Sequence, residues 1–100
     1  MLNHSTPYIR RAWYGETIDV FLRQPTEHIV GELARNSPFS ILQSQTDAWL
    51  QQIEILRRAL AGYTGKVYFE FIIPRMGHRV DSIVLIDGLV LAIEFKIEAK

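Results

Sequence analysis

The run Arg79-Val80-Asp81-Ser82-Ile83-Val84-Leu85-Ile86-Asp87-Gly88-Leu89-Val90-Leu91-Ala92-Ile93-Glu94-Phe95-Lys96 decides the fold class. Two stretches rich in Val, Ile and Leu flank Asp87-Gly88, and each has the length of a strand. Asp-Gly between such runs is a strong hairpin signal, because a type I′ turn needs positive φ at both central residues. A two-residue loop at Asp87-Gly88 pairs Ile86 with Leu89. Counting back along both strands then sets Asp81 opposite Glu94. Directly opposed residues share a face of the sheet, with Cβ atoms about 4.5–5.5 Å apart. Lys96 lies two residues beyond Glu94, so strand alternation turns it to the same face, opposite Arg79.

Upstream, Val67 to Ile73 reads as another strand and Pro74-Arg75-Met76-Gly77 as the turn that follows it. The expectation is a three-stranded antiparallel meander, Val67–Ile73, Val80–Ile86 and Leu89–Ile97. Leu89 to Ile93 is apolar at every position, which predicts that both faces of this strand are covered. Before the meander, Trp49, Ile53, Leu56 and Leu60 recur at the spacing of one helical face, predicting a helix from about Ser44 to Leu60. Gly62 and Gly65 stop it. Glu54 falls roughly 140° around that helix from Trp49, at about 100° per residue. It therefore points to solvent with Arg57 and Arg58 beside it, while Gln45 and Gln52 lie nearer the buried face.

Pro25-Thr26 ahead of Ile29, Val30 and Leu33 predicts a short helix with Thr26 as N-cap, ending near Asn36. Ser37-Pro38 then breaks the chain. Thr17 to Leu22 fits a short helix or a strand equally. Residues 1–15, with Pro7, Gly15 and scattered Tyr8, Trp13 and Tyr14, read as irregular lead-in. Residues 1–39 are thus expected to be a lead-in with one short helix, and residues 40–100 an α/β core of one helix and three strands.

Composition narrows the function classes. One hundred residues make one domain of common size. Lys and Arg balance Asp and Glu, so no whole-chain field advertises a polyanionic partner. There is no cysteine, which removes disulfides, thiolate nucleophiles and thiolate-bound zinc. His4, His28 and His78 show no metal-ligand spacing and read as surface histidines. No apolar run has the roughly 18–20 residues that span a bilayer, so no membrane partner is expected and the cytoplasm is the default location. No Gly-rich phosphate loop ending in Gly-Lys-Ser/Thr occurs, so these residues hold no ATPase of that kind.

The chemistry lies in the hairpin. Two opposed carboxylates repel, and a bound divalent cation is the obvious compensation. Mg²⁺ is usually held by one or two carboxylates with substrate phosphate and water completing the shell. An ammonium at Lys96 beside such an ion suits phosphodiester hydrolysis, orienting a water or offsetting charge that develops on phosphate. Arg75, His78 and Arg79 around the preceding turn are candidates to contact a nucleic-acid backbone.

Asp81 leading into an apolar strand, then Glu94-Phe95-Lys96 closing the next, resembles the PD-(D/E)xK nuclease superfamily. No Pro precedes Asp81, a departure that the superfamily tolerates. The wider text, from Trp49 through Tyr68-Phe69-Glu70-Phe71-Ile72-Ile73-Pro74-Arg75-Met76-Gly77-His78-Arg79-Val80-Asp81 to Lys96, is similar to the amino-terminal region of bacterial proteins with a downstream schlafen-type DNA/RNA helicase domain. The likeness covers roughly residues 40–97. It implies a restriction-endonuclease-like α/β core, cut before its final helix and strand, as the amino-terminal part of a longer helicase-bearing protein. It implies Mg²⁺ or Mn²⁺ held by Asp81, Glu94 and the backbone carbonyl of Phe95, with Lys96 as catalytic lysine. Glu70 is a secondary metal candidate, and Gln45 and Glu32 are candidates for the helix-borne ligand. The implied activity is metal-dependent cleavage of DNA or RNA. The alternatives are an inactive module of the same fold that binds nucleic acid or docks a protein, and an interaction domain that self-associates through an exposed sheet edge.

Overall fold

The computed structural model describes residues 11–96. The elements run β1 (Ala12–Thr17), α1 (Ile18–Arg23), α2 (Thr26–Asn36), α3 (Gln43–Leu60), β2 (Lys66–Ile72), β3 (Arg79–Ile86) and β4 (Leu89–Ile93). The strands form one antiparallel sheet in the order β1-β2-β3-β4. This is a small α/β domain with a four-stranded sheet, one strand more than the meander expected. The extra strand comes from residues read as irregular: Ala12 to Thr17 pair with Phe71 to Lys66. The readings that rest on His4, Pro7, Tyr8 and Ile97 lie outside the described residues.

Pairing explains what periodicity could not. Trp13 and Tyr14 are adjacent yet both buried, so β1 shows no clean alternation. Gly15 admits the ring of Tyr68 across the strand pair; a Cβ there would sit 2.6 Å from Tyr68 Cδ1. Thr17 resolves the ambiguous segment. Its side chain accepts the N–H of Val20 and caps α1, burying Ile18 and Phe21. At α2 the cap position belongs to Pro25, not Thr26, and no side chain bonds the free N–H groups. Proline there sets the extended approach but cannot cap.

One core joins both halves of the chain. Trp13, Tyr14, Ile18, Phe21, Ile29 and Leu33 pack with Trp49, Ile53, Leu56, Leu60, Val67, Phe69 and Val84. Residues 1–39 therefore include part of the core rather than a separate lead-in. Tyr14, Phe21 and Phe69 form a triangle of tilted rings with centroids 5.7–6.3 Å apart. The Tyr14 hydroxyl donates to Gln24 Oε1, and burial pushes its pKa well above the usual value. Glu54 is exposed and paired with Arg58, as helical geometry predicts. Arg57 departs from its expected wet face: its guanidinium lies over the Phe21 ring at 5.5 Å and donates to the Gln24 carbonyl.

The second departure is β4. Its two faces were expected to be covered, but Leu89, Val90 and Leu91 are 61%, 69% and 43% exposed. Helices contact β1 and β2, whereas β4 contacts β3 at the far edge of the sheet. No helix among the described residues is long and apolar enough to cross a membrane.

Candidate functional site

The Asp87-Gly88 turn has φ of 53° and 77°, the positive pair that a type I′ hairpin demands. It sets the register Ile86↔Leu89 through Ser82↔Ile93, the register expected from sequence. Continued by one position, that register would set Asp81 opposite Glu94. There the regular ladder stops. Hydrogen-bonded pairs alternate along an antiparallel ladder, and continuing it would direct the Phe95 N–H to the main chain of Val80. The Phe95 N–H instead donates to Asp81 Oδ2 at 2.8 Å. A side chain thus replaces the backbone acceptor where β4 leaves β3.

This contact fixes the half-buried Asp81 carboxylate against the peptide of Phe95. A carboxylate has about four lone-pair positions, so one N–H leaves most of its acceptor capacity open. Glu94 and Lys96 are exposed. Among the described residues no three His, Cys, Asp or Glu side chains converge as a metal cage. The donors expected from sequence, the carboxylates of Asp81 and Glu94 and the carbonyl of Phe95, are all hard oxygens. That set fits Mg²⁺, which keeps waters and substrate oxygens rather than filling its shell from protein, and it does not fit a softer metal.

Glu70 is placed differently. Continuing the β2–β3 register sets it opposite Asp81, yet no regular pairing forms there. Its φ of 55° is left-handed, a conformation that costs a non-glycine residue about 1–3 kcal/mol. The kink turns its side chain into the domain. Oε2 accepts the Trp49 indole N–H at 3.0 Å and Oε1 accepts Arg79 Nε at 2.9 Å. Both oxygens are engaged, so Glu70 is a buried acceptor for α3 and β3 rather than a free ligand beside Asp81. Tyr68 and Phe71, on either side of the kink, come together with ring centroids 5.7 Å apart.

Arg79 is likewise committed. It pairs with Glu70, and its guanidinium lies 4.4 Å from the Trp13 ring centroid and 6.0 Å from that of Phe39. Its side chain is 37% exposed, so it is anchored in the domain rather than free at a turn. Arg75 and His78 do lie on the exposed β2–β3 turn, which Ile73 N–H closes onto the His78 carbonyl at 3.1 Å. Of the proposed helix-borne ligands, Gln45 lines a cleft with Trp13 and Arg79, and Glu32 lies 3.7 Å from His28 on α2.

Sequence reasoning missed Trp13 and Phe39 as neighbours of Arg79. Trp13 could be found only by recognising β1. Phe39, a lone aromatic between Pro38 and Ser40, carried no periodic signal. Comparison with protein-family models, curated proteins and solved structures found no match for the chain.

Proposed function

We propose that this domain hydrolyses phosphodiester bonds of DNA or RNA with Mg²⁺ or Mn²⁺, using a restriction-endonuclease-like arrangement of Asp81, Glu94 and Lys96. The observation that carries the reading is the end of the β3–β4 ladder. The last regular pair is Ser82↔Ile93, and one residue beyond it Asp81 Oδ2 accepts the N–H of Phe95, which ties the Asp81 carboxylate to the start of the Glu94-Phe95-Lys96 segment. Two like charges opposed on a sheet destabilise it unless something offsets them. When bound, the cation would lower the pKa of a coordinated water and offset phosphate charge. Asp81 and Glu94 would hold it with the Phe95 carbonyl. Lys96, exposed and two residues beyond Glu94, would orient a water or neutralise charge on the scissile phosphate. Arg75 and His78 on the turn would hold the flanking backbone. In a longer parent chain this activity would accompany a helicase.

A second reading rests on the exposure of Glu94 and Lys96, which suits a wet surface patch as well as a metal site: a module of the same fold that binds nucleic acid or a protein without cleaving. Titration calorimetry with Mg²⁺ and Mn²⁺ separates the two at their root. The wild type is expected to bind, and the Asp81→Ala/Glu94→Ala variant to lose all heat of binding while keeping its fold by circular dichroism. Equal heats from both proteins would remove the carboxylate pair from consideration.

The partner reading includes a second copy of the chain. Leu89 to Ile93 lacks the Pro, Lys or bulge that commonly protects an exposed edge strand. An antiparallel pairing centred on Leu91 would match all five residues and set Glu94 opposite Gly88 of the other copy, with no charges opposed. Light scattering after size exclusion is expected to show concentration-dependent dimers for the wild type and monomer for Val90→Lys. A wild-type monomer at all concentrations would rule this pairing out.

A further inference from the structure

We infer that the cleft between Phe39, Trp13 and Arg79 takes an unpaired nucleobase, which makes single-stranded nucleic acid the substrate form. The inference deepens the nuclease reading and depends on it only for the class of polymer. Phe39 is 64% exposed although its backbone is held at both ends by one residue. Ser37 Oγ accepts the Phe39 N–H at 3.1 Å and donates to the Phe39 carbonyl at 3.1 Å. A tethered turn thus presents to water most of an apolar ring whose one cation–π neighbour is Arg79.

The surroundings suit a flat amphipathic ligand. The cleft encloses about 250 Å³ and adds Ser40, Ser44 and Gln45 to the aromatic and guanidinium groups. That is below the roughly 300 Å³ at which clefts for drug-sized ligands begin, so it suits a single ring system rather than a whole nucleotide. Hydroxyl and amide groups match the donors and acceptors on a base edge, and Phe39 supplies the face on which a base stacks. Arg79 already lies over the Trp13 ring and is bonded through Nε to Glu70, so ordering its side chain costs little on binding. It lies two residues from Asp81 on β3, about 7 Å along a strand. Paired bases in a duplex present no free face, so the cleft selects against them.

Fluorescence anisotropy at one fixed salt concentration tests this with labelled oligo-deoxythymidylate, oligo-uridylate and a DNA duplex, in chelator to prevent cleavage. Phe39→Ala is expected to weaken binding of both single strands by about five- to a hundredfold, from the stacking of one base, and to leave duplex binding unchanged. Phe39→Trp should retain affinity, with its indole emission quenched by the bound base. Loss confined to the uridylate or to the thymidylate would assign the site to RNA or to DNA. No single-strand binding by the wild type, an unchanged Phe39→Ala variant, or an equal loss on duplex would each overturn the inference. The Asp81→Ala/Glu94→Ala variant keeps the two readings distinct. If it binds single strands like the wild type while no protein binds metal, the base site stands and the nuclease reading falls.

Discussion

Arg79→Ala is expected to lower unfolding stability by about 3 kcal/mol, more than Glu70→Gln, because it strands a buried carboxylate. Breaking a buried ion pair by removing one partner typically costs about 3–5 kcal/mol, most of it the desolvation of the charge left behind. Here the two partners are unequal. The Glu70 side chain is 7% exposed and the Arg79 side chain 37%. Without Arg79, Glu70 keeps only the Trp49 N–H, deep in the domain. Without the carboxylate charge, Arg79 still reaches water and still stacks on Trp13. The lower end of the range applies because a partly hydrated partner contributes less than a fully buried one. Glu70→Gln keeps an acceptor for Trp49 or Arg79 and should cost about 1–2 kcal/mol. Arg79→Lys keeps charge but loses the planar stack, and should fall between. Urea unfolding of the three variants measures the order; an Arg79→Ala protein as stable as wild type would show that the pair contributes nothing. A loss of this size matters against the roughly 5–15 kcal/mol of a typical domain.

The same cluster shows where sequence stopped being legible. The β3–β4 hairpin was readable because a single dipeptide, Asp87-Gly88, fixes loop length, turn type and register together. α3 was readable because four apolar residues share one face. β1 was not: Trp13 and Tyr14 are both buried, which breaks the period of two, and the strand exists through pairing with β2 some fifty residues later. Glu70 was misplaced for a related reason. Alternation assigns it to the face of Asp81, and only the left-handed φ, invisible in an ordinary Phe-Glu-Phe sequence, sends it to Trp49 and Arg79. The hairpin register was therefore legible as far as Ser82 and Ile93, where strand geometry is regular, and the surroundings of Glu70 were illegible because the backbone kinks there. The exposed faces of β4 belong with these. An unbroken apolar run says that both faces of a strand prefer burial, but not what buries them.

If the proposed nuclease reading holds, Lys96→Met is expected to reduce cleavage by about a hundredfold or more while leaving metal binding and stability unchanged. Positioned proton-transfer or charge-stabilising groups contribute about 10²–10⁴ to rate, which sets the scale. Methionine retains the apolar stem but not the ammonium, so packing near Phe95 is preserved. Lys96 is exposed and lies past the last ladder pair, Ser82↔Ile93, so its charge contributes little to the fold. The contrast with Asp81 is the point. Asp81→Ala removes a proposed metal donor and also frees the Phe95 N–H, so under that proposal both metal binding and local strand geometry should change. Lys96→Met should change neither, and only turnover should respond. Calorimetric metal titration beside a single-turnover cleavage assay resolves this. Wild-type turnover with an equally active Lys96→Met protein would exclude the ammonium from the chemistry. Metal binding without cleavage by any of the proteins would make this hairpin a metal-binding module, with the opposed carboxylates serving to hold the ion and through it a phosphate backbone.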